Sequence, residues 1–347
     1  MKRVLYIFSL LFFASNLCGA SYAADAVKPA EFYKGKKIDF TLNERPGGDM
    51  ELFGRLLGPY LKDYAGVTPI FTNRRGAGGS DGYVHIFKAK PDGLTMGIGA
   101  LLPLILNRVT EAPGAKYEPD KFGYIGSFLR VRNMFVVAAE GPYKTVAELK
   151  AAKKLIFGAT SPQGNLALST MSCIELLKLD AKVITGTKGI GRLAQTVVSG
   201  EVAGTCVPMQ VALKGIKEGH YRPLFTLASE RFSQLPDVPS ITEVADFKGD
   251  KDKEDLLKIW DENLVLAHAI MVSPGVSQEK IEFLRGILPK LKNSPKFRKD
   301  IDKLWAFHVP DKDILAGEEV EKLVNNSMRD AAKMKSTFLE LLKKYKL

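Results

Sequence analysis

Short apolar runs alternate along this chain with stretches whose apolar residues keep helical spacing. The runs at 37–42, 69–73, 94–98, 133–138, 155–158, 182–185, 205–207, 224–227 and 269–272 have the length and composition of strands. Helical spacing fills most of the gaps. Residues 50–62 place Leu52, Leu56, Leu57 and Tyr60 near one face, and Pro59 predicts a bend or an early end there. A capping box, Thr145 with Glu148, predicts a helix start. A further helix is predicted over 165–177. The cluster 250–255 reads as an exposed charged loop. After Ser277 the pattern is helical throughout. Ile281, Leu284, Leu288 and Leu291 share a face that Pro289 should kink or break, and Val320, Leu323, Val324, Met334, Phe338 and Leu341 mark one long final helix. Repeated strand–helix alternation predicts an α/β architecture with mostly parallel sheets. At 347 residues, about two domains are expected.

The N-terminus departs from that pattern. Lys2 and Arg3 precede an apolar run from Val4 to Ala14, and Ser21-Tyr22-Ala23 fits a small-x-small cleavage site. This predicts a signal peptide over residues 1–23, too short to span a bilayer comfortably. A lipoprotein signal ending at Cys18 fits poorly, because Leu17 stands where a small residue is needed. Export changes how the charge is read. The net +11 argues less for nucleic acid than for a field that steers anions, or for a merely solvated basic surface. Hydrophobic residues at 46% and charged residues at 26% exclude disordered and fibrous classes. Beyond the signal, Cys173 is expected mid-helix and Cys206 in a strand; they either pair in an oxidising compartment or stay as buried thiols.

Each of four predicted strands ends in a glycine-bearing turn that leads into a helix. The turns are Pro46-Gly47-Gly48-Asp49, Arg74-Arg75-Gly76-Ala77-Gly78-Gly79-Ser80, Ala159-Thr160-Ser161-Pro162-Gln163-Gly164 and Gly186-Thr187-Lys188-Gly189-Ile190-Gly191. In open α/β sheets ligands bind at the carboxyl ends of strands, where these turns lie. Glycine lets backbone approach a ligand, and helix N-termini offer unpaired N–H groups to an anion. Nucleotide motifs fail: Asp81 stands where a third glycine would complete the dinucleotide fingerprint, and no turn ends in Gly-Lys-Ser/Thr. His85, His220, His268 and His308 lack metal-ligand spacing and read as surface or packed histidines. No nucleophile elbow or catalytic cysteine signature is present, so neither a cofactor nor a catalytic residue is expected.

The order of these motifs resembles the solute receptors of tripartite tricarboxylate transporters, the Bug receptors. The matching elements are Pro46-Gly47-Gly48 with Glu51, Arg55, Leu56 and Leu57, then Asn73-Arg74 and Gly76-Ala77-Gly78-Gly79 with Gly82, then Pro91-Asp92-Gly93. Lys144 to Leu149 and Leu235-Pro236-Asp237-Val238-Pro239 follow in the right order. The resemblance implies a type II periplasmic binding protein fold, two α/β domains around a ligand cleft joined by crossing strands. Domain 1 would comprise 28–130 and 233–347, and domain 2 would comprise 131–232. It also implies a monomeric, non-enzymatic periplasmic receptor that captures a small organic acid and delivers it to a membrane permease. Carried over residue by residue, the ligand site would use Gly47, Gly48, Asp49 and Met50, then Arg75, Gly76, Ala77, Gly78, Gly79 and Ser80. From domain 2 it would use Thr160, Ser161 and Gly164, with Thr187, Lys188 and Gly189.

Four positions bear on specificity. Where the resemblance implies a small residue followed by a hydroxyl, this chain has Asp49 and Met50. Asp49 either caps the helix or faces the cleft, where it would repel a carboxylate and favour a hydroxyl or amine. Met50 cannot donate a hydrogen bond. Arg75, in place of a proline, either adds a carboxylate contact or points to solvent, and Lys188 either reaches a distal carboxylate or is a surface lysine. Two rival readings remain from the residues alone. One is a secreted hydrolase or transferase with an oxyanion site, which would need a nucleophile such as Ser161 beside a base. The other is a sensor that reports to a membrane kinase.

Overall fold

The computed structural model describes residues 27–347, apart from 45, 75, 77, 78, 113, 131, 163, 264 and 265. The expected signal peptide therefore lies outside the described residues. The described residues form eleven strands: β1 (Lys37–Leu42), β2 (Thr68–Asn73), β3 (Thr95–Gly99), β4 (Gly123–Arg130), β5 (Asn133–Ala138), β6 (Leu155–Gly158), β7 (Ala181–Ile184), β8 (Thr205–Pro208), β9 (Tyr221–Leu227), β10 (Leu266–Val272) and β11 (Leu315–Ala316).

The first sheet has the order β11-β4-β10-β3-β1-β2. β1 pairs in parallel with β2 and β3, whereas β10 runs antiparallel to its neighbours β3 and β4. The second sheet repeats this plan. β6 and β7 pair in parallel, and β5 lies antiparallel between β8 and β9. A parallel bridge from Phe157 to Gly204 joins the two pieces, giving β7-β6-β8-β5-β9. In each sheet one antiparallel strand, β10 or β5, is the strand that has just arrived from the other sheet, and β11 at the edge of the first sheet also runs antiparallel to β4. The chain crosses between β4 and β5 and returns between β9 and β10. Two α/β domains joined by crossing strands result, as the resemblance implied. The sheets are mixed rather than mostly parallel as the alternation predicted, because β10, β5 and β11 each enter antiparallel to their neighbours.

The returning segment stays with the second sheet for some distance. Thr226 N donates to Pro239 O, Trp260 Nε1 donates to Ser172 Oγ at 2.9 Å, and Ser229 N donates to Asp261. The last helix, Ala331–Lys344, touches both sides. Lys335 pairs with Glu111, while Lys344 and Tyr345 meet Glu175.

Several local expectations change. The first long helix runs Asp49–Ala65 straight past Pro59, because packing against β2 and the helix Pro295–Trp305 outweighs the proline. Tyr60 Oη donates to Asp300 Oδ2 at 2.6 Å in that contact. The charged cluster expected as a loop is the helix Lys251–Lys258. The Asp250 carboxylate caps it, and Leu256 and Leu257 are buried. The break expected at Pro289 falls at Gly286, between Gln278–Arg285 and Ile287–Lys292, which leaves the proline in a first turn where its missing N–H costs nothing. The single final helix is two, Gly317–Arg329 and Ala331–Lys344, separated at Asp330. The Thr145–Glu148 capping box forms as expected.

Cys173 lies in the helix Asn165–Leu177 and Cys206 in β8, both fully buried and unpaired as disulfide. Burial pushes the Cys173 thiol up, and the adjacent Cys206 adds to it.

Candidate functional site

At the carboxyl end of β1 the chain turns through Gly47, whose φ of 81° suits glycine, and starts a helix at Gly48. That helix N-terminus is not open. The Glu44 carboxylate folds back and accepts from Met50 N at 2.8 Å, so that a side chain at Gly48 would strike it. Glu51 accepts from Gly47 N at 2.7 Å and from Arg55. The Gly47 N–H and the Arg55 guanidinium hold the Glu51 carboxyl below the usual range.

The turn after β2 is tied to this one. Asn73 Nδ2 donates to Glu44 O at 3.1 Å, and Asn43 Nδ2 donates to Gly79 O at 2.8 Å. Gly82 must be glycine here, since a Cβ would lie 2.7 Å from Asn43 Oδ1. Ser80 is fully buried and its hydroxyl accepts from Asn107, so its side chain faces the domain interior. Gly76 is exposed and Gly79 turns at φ 93°. Arg75, Ala77 and Gly78 lie outside the described residues.

Asp49 does not cap the helix, contrary to one of the two readings. Gly48 is the N-cap and Asp49 is the first helical residue. Its Oδ1 accepts from Trp305 Nε1 at 2.8 Å, and its Oδ2 sits 3.1 Å from His268 Nε2. Oδ2 also accepts from Gln210 Nε2 at 3.4 Å, and Gln210 belongs to the helix Met209–Lys217 that follows β8. The Asp49 side chain keeps 34% of its surface exposed. Burial alone would raise its pKa, but the His268 charge and the hydrogen bonds from His268, Trp305 and Gln210 outweigh burial and hold it low. His268 is 1% exposed, sits in β10 with φ 59°, and packs its ring 5.2 Å from Phe53 and 5.0 Å from Trp305. A non-glycine residue at that φ carries about 1–2 kcal/mol of strain. The Asp49 pair and the two aromatic rings offset it. Met50 is half-buried and packs on the same apolar cluster.

The second sheet offers a matching pair of turns. Gly186 N donates to Thr160 O at 3.2 Å, so the turns after β6 and β7 are joined as those after β1 and β2 are. Gly164 is the N-cap of Asn165–Leu177, and Gly189, at φ 88°, is the N-cap of Ile190–Val198. Ser161 and Lys188 are exposed, whereas Thr160 and Thr187 are half-buried. Asn165 and Asn133 exchange amide hydrogen bonds at 3.1 Å, which fixes the helix start against the first crossing.

A family model described as the tripartite tricarboxylate transporter family receptor, TctC, matches residues 55–253. The chain belongs to that family. Protein BugT of Bordetella pertussis is 24% identical over 251 residues, covering 70% of this receptor and 74% of BugT. Among solved structures, MatC of Rhodopseudomonas palustris with bound malate superposes with a TM-score of 0.67 at 21% identity, over 87% of this receptor and 99% of MatC. The R. palustris protein Rpa4515 with adipate gives 0.68 at 20% identity, over 87% and 97%. These likenesses show the periplasmic binding protein fold. The family consists of solute-binding receptors and not of enzymes, which removes the hydrolase reading.

In this receptor the structure brings the Gly47–Met50 turn together with Gly76 and Gly79, and Thr160 and Gly164 with Thr187 and Gly189. His268, Trp305 and Gln210 join them without any sequence motif. The sequence reads His268 as a surface or packed histidine. It is packed, but against the one acidic residue that departs from the resemblance.

Proposed function

We propose that this receptor works in the periplasm as a monomer, captures a small organic acid between its domains, and passes it to a membrane permease of the tripartite tricarboxylate type. One observation carries the reading. Two joined glycine turns stand at the carboxyl ends of parallel strands in each sheet, and a hydrogen bond from Gln210 to Asp49 spans the gap between the sheets. The malate in MatC and the adipate in Rpa4515 support an acidic ligand. We divide the domains as 28–130 with the chain from β10 onward, and 133–263. The contacts of Pro239 with β9, of Trp260 with the helix Asn165–Leu177 and of Asp261 with the loop after β9 favour this return point over 233.

The ligand's two ends meet different chemistry. On the first-domain side Glu44 and Glu51 already take the N–H groups of Met50 and Gly47, and Asp49 presents a carboxylate held ionised. A ligand carboxylate is repelled there, while a hydroxyl or amine donates to Asp49. On the second-domain side the helix N-termini at Gly164 and Gly189, with Thr160, Ser161, Thr187 and Lys188, suit the ligand's carboxylate. Hydroxy acids or amino acids therefore fit better than simple diacids.

A thermal-shift series tests this on protein unfolded and refolded to remove carried-over ligand. At about 100 times its Kd a ligand stabilises by about 2.7 kcal/mol, which raises Tm by several degrees. Hydroxy or amino acids should produce that shift and alkyl diacids a smaller one. If no organic acid shifts Tm, the receptor reading for acids fails.

A further inference from the structure

The glycine turns leave unexplained a basic cavity beside the crossings. It has a volume of about 200 Å³ and is walled by Arg130, Arg132, Arg231, Lys312, Asp313 and Phe232. None of the turn residues lines it. Arg130 ends β4 and Arg132 lies in the first crossing, while Arg231 and Phe232 follow β9 at the start of the return. Lys312 and Asp313 come from the turn before β11. The walls thus belong to both crossings and to the first sheet's edge.

Four cationic side chains face one carboxylate, and they are not equally engaged. Arg231 is held by Glu243, with contacts of 2.6–3.1 Å, and donates to Pro236 O. The Arg132 guanidinium lies 5.6 Å from the Phe232 ring centre, which orients it without neutralising it. Arg130 Nε is buried with no hydrogen-bond acceptor among the described residues. Asp313 is 6% exposed and its Oδ1 is likewise buried without a donor. Burial raises the Asp313 carboxyl, although Arg132 and Arg130 pull it down. Burying a guanidinium N–H without an acceptor is costly, and an oxyanion in the cavity would supply one. Arginine is also the side chain best suited to two-pronged contact with phosphate or carboxylate.

We infer that this cavity is a second binding site, for a small oxyanion of the phosphate type, built at the crossings and separate from the cleft turns. Arg130 and Arg132 hold the anion, Lys312 adds charge at the mouth, and Asp313 opposes binding. Because the walls span both crossings, an occupied site ties the two crossing segments together.

Isothermal titration of the purified protein with inorganic phosphate tests the site. Wild type should bind one phosphate saturably. Arg130→Gln and Arg132→Gln should each weaken binding at least about tenfold. Asp313→Asn should tighten it at least about threefold by removing a like charge. Circular dichroism and Tm identify any variant that fails to fold, and in that event Asp313→Asn decides alone. No saturable binding, or no tightening in Asp313→Asn, overturns the inference. Binding that survives both arginine substitutions also overturns it by placing the phosphate in the cleft, an outcome that leaves the receptor reading standing.

Discussion

Asp49 concentrates the unusual chemistry of this receptor. Three side chains from three separate segments converge on it: Trp305 and Gln210 donate hydrogen bonds, and His268 Nε2 lies 3.1 Å away. Its carboxyl is held low in the folded state, so its ionised form is favoured by folding. The stability it contributes is present above the unfolded carboxyl pKa of about 3.9 and is lost as pH falls through the lower folded value. Asp49→Asn should therefore be less stable at neutral pH and should lose less on acidification. Urea unfolding from neutral pH to about pH 3 reads both effects, and a variant whose curve parallels wild type throughout refutes the assignment. Nothing in the sequence marks Trp305, Gln210 or His268 for this role, because each arrives from a distant element with no spacing rule. The glycine turns could be read because their constraint is local: Gly47, Gly79 and Gly189 adopt positive φ whatever surrounds them.

Among helices and strands, local signals were also the ones that could be read. Thr145 Oγ1 accepts from Glu148 N at 3.2 Å, and Glu148 Oε2 accepts from Thr145 N at 3.0 Å and from Lys144 N at 2.6 Å. This reciprocal cap is written in four consecutive residues. Thr145→Ala should cost about 1 kcal/mol, seen as a lower urea midpoint with an unchanged slope; an unchanged midpoint removes the cap from the account. Strand β4 shows the opposite case. Its sequence, from Gly123 to Arg130, has two glycines and no alternation, because seven of its eight residues are buried, with β10 and β11 along its edges and the helices Gly317–Arg329 and Gln278–Arg285 packed against it. Gly126 is favoured by packing, since a Cβ there would lie 3.0 Å from Leu315 O and press on it. That reason exists only once β11 is in place. Lys251–Lys258 reads as a charged loop for a similar reason: its charges face out, and only Leu256 and Leu257 are buried.

The two domains are tied by two crossings and by the last helix, which Lys335 anchors to Glu111 and Tyr345 and Lys344 anchor to Glu175. On the cleft side the Gln210–Asp49 hydrogen bond works against opening. One such bond is worth about 1 kcal/mol, or about a fivefold change in the ratio of closed to open forms. Gln210→Ala should move the unliganded receptor toward the open form. Energy transfer between dyes placed on the two domains measures this, and an unchanged distance distribution in the variant rules the bond out as a latch. The buried pair described above makes that experiment simple. Cys173 and Cys206 are both inaccessible, and the raised Cys173 thiol keeps its reactive thiolate scarce. Two cysteines introduced on the surface, one in each domain, would therefore be the reactive thiols among the described residues. The receptor can be labelled at chosen points with its native cysteines left in place, which gives a direct optical reporter of solute capture.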